Sequence, residues 1–227
     1  MLHTYLSRFP ILRILLLSGL ALCGNLLKAD IIYSNFGPSQ AYNDGAGVVV
    51  DNGLVGADIA IELPALAATY DLTDIQFVAS SQDPVSSNSV TIGIYADDGG
   101  VPAATSLESI TLSGMLAPFD GTLSPVLTAT SVSNPVLNAG SLYWVVMSGL
   151  TSESLVWDNN SLSLSGYLAG TPGSPGSWTE TAEADGVFEV DGTLVGASTP
   201  EPGTWMMLAG GLGLISFLAR RRSKSAA

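Results

Sequence analysis

Leu142-Tyr143-Trp144-Val145-Val146-Met147 is a run of six apolar residues. An amphipathic helix would place polar residues every third or fourth position, and this run is too short for a buried helix. It reads instead as a strand covered on both faces, and so as a central strand of a sheet. Its neighbours alternate. In Thr73-Asp74-Ile75-Gln76-Phe77, Ile75 and Phe77 share one face while Asp74 and Gln76 share the other. Val90, Ile92 and Ile94 alternate in the same way. Further candidate strands are Ile31–Phe36, Ala57–Leu63, Leu107–Leu112, Val126–Ser131, Leu155–Asp158, Leu162–Tyr167 and Val187–Val190.

Gly, Pro, Asn, Asp and Ser separate these runs, and no helical period extends through them. Ala65–Ala68 is expected to form one brief helical turn. Asp97-Asp98-Gly99-Gly100 reads as a loop between strands, residues 170–176 as a surface loop, and Asp185-Gly186 and Asp191-Gly192 as turns. About ten short strands with closely spaced turns predict an all-β fold, an antiparallel β-sandwich or jelly roll, over residues 30–196.

Charge is distributed unevenly. The chain carries 7 Lys and Arg against 20 Asp and Glu. The basic residues are Arg8, Arg13 and Lys28 near the start and Arg220, Arg221, Arg222 and Lys224 at the end. All carboxylates lie between Asp30 and Glu201. The central domain is therefore a polyanion with no internal salt bridge. Nucleic acid is excluded as a partner, because phosphate binding needs Lys or Arg to displace counterions. Cys23 and His3, the single Cys and His, both fall in the N-terminal segment. Without them the domain has no disulfide and no zinc site built on Cys or His.

Residues 1–29 read as a signal peptide. Arg8 and Arg13 form a basic start, Ile14–Leu22 a short apolar stretch, and Leu27-Lys28-Ala29 a cleavage site that leaves Asp30 first. This predicts use of the Sec export machinery and signal peptidase. Cys23 follows Leu22 where a lipoprotein signal has a small residue, which disfavours lipidation.

Residues 197–227 form a linker and a tail in three parts. Pro200-Glu201-Pro202 comes first, then the uncharged run 205–219 starting at Trp205, then the basic end 220–224 with Arg220, Arg221 and Arg222. As a helix at about 1.5 Å per residue, residues 205–219 reach roughly 22 Å, against a hydrocarbon core of about 30 Å. Bilayer thinning, with help from Trp205 and the arginine stems, would close the gap. Basic residues stay cytoplasmic, so residues 30–196 are expected to face outward from the inner membrane.

This tail resembles the PEP-CTERM sorting signal. The likeness rests on Pro200-Glu201-Pro202-Gly203-Thr204-Trp205, the glycine-rich apolar run and the terminal arginines. It implies processing by an exosortase near Pro-Glu-Pro and transfer to the cell surface or exopolysaccharide matrix. The central domain resembles the choice-of-anchor group of bacterial surface domains, type R. Ile32–Pro38, Ile94–Pro102, Leu137–Val145, Trp157 and Gly176-Ser177-Trp178 carry that likeness. The group implies a surface role and no established activity.

The chemical inventory narrows function further. Without His or Lys the domain holds no Ser–His–Asp triad, Schiff base or P-loop. The leading expectation is a non-catalytic surface or matrix protein. A carbohydrate-binding module is the alternative, with Trp157 and Trp178 stacking on sugar rings and Trp144 in the core. A glycosidase using a carboxylate pair is a minor alternative. No cofactor is expected, calcium excepted. Calcium prefers oxygen ligands, and Asp97 and Asp98 are its first candidates, with Asp44 and Asp158 as further donors. The spacing is not that of an EF-hand, and the same loop also reads as plain turn chemistry.

Overall fold

A computed structural model describes residues 29–51, 58–82, 88–121, 123–149, 154–170, 178–196 and 210–212. The chain divides into two compact units, Met1–Leu194 and Val195–Ala227. In the second, residues 210–212 are helical. Among the described residues no helix is long and apolar enough to cross a membrane. The expected signal peptide (its last residue, Ala29, apart), the Pro-Glu-Pro motif, nearly all of 205–219 and the basic end lie outside the described residues.

The first unit is built from strands in mostly antiparallel sheets. They are β1 Asp30–Ser34, β2 Tyr42–Asp51, β3 Asp58–Leu63, β4 Tyr70–Phe77, β5 Ala79–Ser81, β6 Ser89–Asp97, β7 Pro102–Ser113, β8 Ala117–Pro118, β9 Leu127–Thr130, β10 Val136–Leu137, β11 Tyr143–Gly149, β12 Ser154–Asn160, β13 Leu168–Gly170, β14 Thr179–Glu180 and β15 Phe188–Leu194. One sheet runs β1-β15-β4-β10, with β9 also on β4. A second runs β14-β13-β3-β11-β6-β7, and a third β2-β12-β5-β8. Only the short β5–β8 pair is parallel among the described pairings.

The apolar run at 142–147 becomes β11, flanked by β3 and β6 as its pattern requires. Tyr143, Val145 and Met147 enter the main core, while Trp144 and Val146 are buried on the opposite face. Alternation in β6 places Val90, Ile92 and Ile94 in that core too. All three sheets contribute, with Val48 and Val50 from β2, Ile75 and Phe77 from β4, and Leu155 and Trp157 from β12. Their burial is the main favourable term in folding.

Four expectations need correction. Leu162–Tyr167 is not a strand: Leu162 and Leu164 are exposed, Ser165 makes only an isolated bridge, and pairing resumes at β13. Ala65–Ala68 forms no helix. Asp191-Gly192 lies within β15 at a break in register, so this Asp-Gly makes a bulge and not a turn. Asp185-Gly186 runs alongside β12, bridging Asn159. β2 was hidden from the pattern because Asn43-Asp44-Gly45 has turn composition.

Candidate functional site

The three tryptophans of the domain do not converge. Trp157 is fully buried. Its indole N–H donates to the Val187 carbonyl at 2.9 Å, and its ring lies over Gly186. Phe188 packs at 5.9 Å between ring centroids. Trp157 therefore offers no face to a sugar, and the expectation that it stacks on one is overturned by its burial.

Trp144 and Trp178 belong to the outer face of the six-stranded sheet. Ala60, Trp144, Val146 and Leu168 form a cluster there, with Tyr95, Val101 and Trp178 packed against it half-buried. The register explains the grouping: Trp144 pairs with Tyr95, and Leu168, Ala60 and Val146 follow one row. The Trp178 ring lies so close over Gly170 that a Cβ there would come within 2.7 Å of it.

Asp97 serves this aromatic face. Its Oδ1 accepts the Trp144 indole N–H at 2.9 Å and the Gly100 backbone N–H at 3.1 Å. Asp98 closes the turn through its backbone N–H to the Val101 carbonyl, and its side chain is exposed. The expected calcium loop thus spends one carboxylate holding Trp144. Among the described residues no group of three or more His, Cys, Asp or Glu is arranged to hold a metal.

The carboxylates that stand out are buried ones, and they lie elsewhere. Asp158 on β12 is fully buried. Ser80 Oγ donates to its Oδ2 at 2.9 Å and lies 2.9 Å from Ser124 Oγ. The Tyr42 hydroxyl donates to the Ser124 carbonyl. On the partner strand Asp158 pairs with Gly47 but Asn159 pairs with Asn43, so Asp44–Ala46 bulge out of the ladder beside Asp158. Burial, reinforced by the nearby Asp44 charge and opposed by the Ser80 hydrogen bond, pushes the Asp158 carboxyl up to about 7.

Asp185 forms a second such group. It is buried, which pushes it up to about 6, and its Oδ1 has no hydrogen-bond partner. Its backbone is held firmly. The Asn160 side chain donates to the Asp185 carbonyl at 2.9 Å, and Asn35 bridges Gly186 and Phe188. A third group spans β4 and β15. Asp191 is raised by burial and by the Asp74 and Glu189 charges, while Gln76 Nε2 donates to Asp191 Oδ2 at 2.8 Å and to Glu189 Oε1 at 3.3 Å. Asp74 and Glu189 have no sequence signal beyond strand alternation. Asp185 and Asp191 look like turn residues because each precedes Gly, and Asp158 reads as the end of a strand.

A surface depression of about 350 Å³ is lined by Ser165, Gly166, Glu180, Thr181 and Ala182. These residues supply one carboxylate, whereas hydrolysis of a glycoside uses two.

Beyond the strands, residues 198–222 match the PEP-CTERM protein-sorting motif. The chain carries a PEP-CTERM tail. Such a tail indicates a protein that is exported and sorted by an exosortase. The match takes in Pro200, Glu201, Pro202, Trp205, Arg220, Arg221 and Arg222, the sorting and anchoring residues expected from the sequence. It begins shortly after β15 ends at Leu194, so the PEP-CTERM tail follows the last strand with almost no spacer. No curated protein matches the chain.

Proposed function

We propose that this chain is a non-catalytic surface or extracellular-matrix protein whose β-sandwich domain, released from its signal peptide at Asp30, is delivered outward by its PEP-CTERM tail. The observation that carries the reading is the sorting-motif match at 198–222 behind a domain whose sequence holds no Lys or Arg. Residues 205–219 hold the protein at the inner membrane until an exosortase acts near Glu201, with Arg220–Arg222 on the cytoplasmic side. The polyanionic domain then enters a polysaccharide-rich exterior, where neutral polymers and divalent cations are its compatible partners.

Mass spectrometry of protein recovered from the native host tests this. The expected species begins at Asp30 and lacks residues 205–227. Replacing Glu201 with Ala should leave the tail attached. Intact polypeptide in the cytosol overturns the reading.

Carbohydrate binding is the second reading, and the outer aromatic face favours it. Trp178 and Tyr95 are half-buried against the cluster that holds Trp144, on a sheet face outside the main core. Flat sheet faces bearing aromatic rings suit stacking on sugars. Glycan-array binding that disappears in Trp178→Ala supports this; binding indifferent to Trp178 removes it.

A further inference from the structure

We propose that Asp158 and Asp44 hold a divalent cation of the calcium type at the β2 bulge. Asp158 has no exposed surface, and its Oδ1 has no hydrogen-bond partner, while its Oδ2 is taken by Ser80. Asp44, half-buried on the bulge, acts electrostatically on Asp158, and both act on the Tyr42 phenol. The β2–β12 register thus sets the Asp44 bulge beside an enclosed carboxylate oxygen that lacks a donor.

Two ordinary remedies fail here. The domain supplies no salt-bridge partner, because residues 30–219 contain no Lys or Arg and no His. Protonation does not help Oδ1 either. With the proton on Oδ2, Oδ1 is a carbonyl without a donor; with the proton on Oδ1, it is a hydroxyl without an acceptor. Leaving a buried polar atom unpaired is destabilising, and more so for a charged one. A divalent cation supplies both the missing partner and the missing charge.

The donor set suits calcium. Hard oxygens are available from the two carboxylates, and calcium accepts irregular geometry with water completing the shell. Two carboxylates make a weak site, in the range of about 10⁻⁴–10⁻³ M typical of extracellular modules.

The test uses the full-length chain in detergent micelles, stripped with chelator and titrated with Tb³⁺ and then Ca²⁺. Tyr42 is placed to sensitise terbium emission. The expected result is a saturable Tyr-excited signal displaced by Ca²⁺, and a melting temperature raised by Ca²⁺. Asp44→Asn and Asp158→Asn should each weaken the signal at least tenfold, while Asp97→Asn leaves it intact. Should Asp158→Asn fail to fold, Asp44→Asn on the bulge decides alone. A titration without saturation, or one that survives both substitutions or is lost with Asp97→Asn alone, overturns the proposal.

Discussion

Asp74 of β4 stands directly opposite Asp191 of β15 in an antiparallel ladder. Like charges at such positions destabilise a sheet. Here no basic side chain relieves them, and Glu189 lies two residues along the same strand. The contact is tolerable when Asp191, whose carboxyl burial raises, carries a proton. Asp191→Asn is therefore expected to stabilise the domain at pH 8, by about 1 kcal/mol or roughly 2–4 °C in Tm, and to do nothing at pH 4. Thermal melts of both proteins at the two pH values check this.

The same logic extends to the whole domain. Asp158, Asp185 and Asp191 all have folded pKa values above the unfolded carboxylate value of about 3.9. The folded state then binds more protons than the unfolded state between the two values, so stability falls as pH rises. The contribution is complete below about pH 4 and is lost as pH climbs through about 6 for Asp185 and about 7 for Asp158. In chelator, Tm should drop steadily from pH 5 to pH 8. Asp158→Asn should flatten the upper part of that slope. A Tm that climbs over this interval contradicts the burial of these groups.

Gly186 touches Trp157 where a side chain has no room. A Cβ there would come within 2.4 Å of the ring. Since the indole is fixed by Val187 and Phe188, the clash has no easy outlet. Gly186→Ala should cost about 1–3 kcal/mol. Trp157→Ala should cost about 3–5 kcal/mol by opening a cavity. Trp178→Ala, on the outer face, should cost much less. Urea melts of the three variants separate core from surface tryptophan.

Much of this architecture was legible because burial leaves a pattern. β11 announced itself by being apolar on both faces, and β6 by the strict alternation of Val90, Ile92 and Ile94. Two of the failures share one cause: Asp-Gly serves bulges as well as turns. Asn43-Asp44-Gly45 and Asp191-Gly192 have the composition of loops, yet both sit inside strands. Leu162 and Leu164 alternate with serines as a strand would, but only an isolated bridge at Ser165 forms along that stretch, and they stay exposed. The buried carboxylates were unreadable for a different reason. Asp44 and Asp158 come from distant parts of the chain, and only the β2–β12 register brings them together.

The last strand decides whether the tail can be removed safely. β15 lies between β1 and β4, and Phe188 and Val190 are fully buried. Asp30, the expected first residue of the exported form, pairs with Gly192. Among the described residues, none after Leu194 joins these ladders. Truncation after Gly196 should therefore leave Tm within about 2 °C of the full chain, because it leaves β15 whole. Truncation before Phe188 strips the partner from β1 and from one side of β4, and exposes the Trp157 ring. That protein should show no cooperative melt and should be digested rapidly by protease. If it melted cooperatively, β15 would not be part of the domain core.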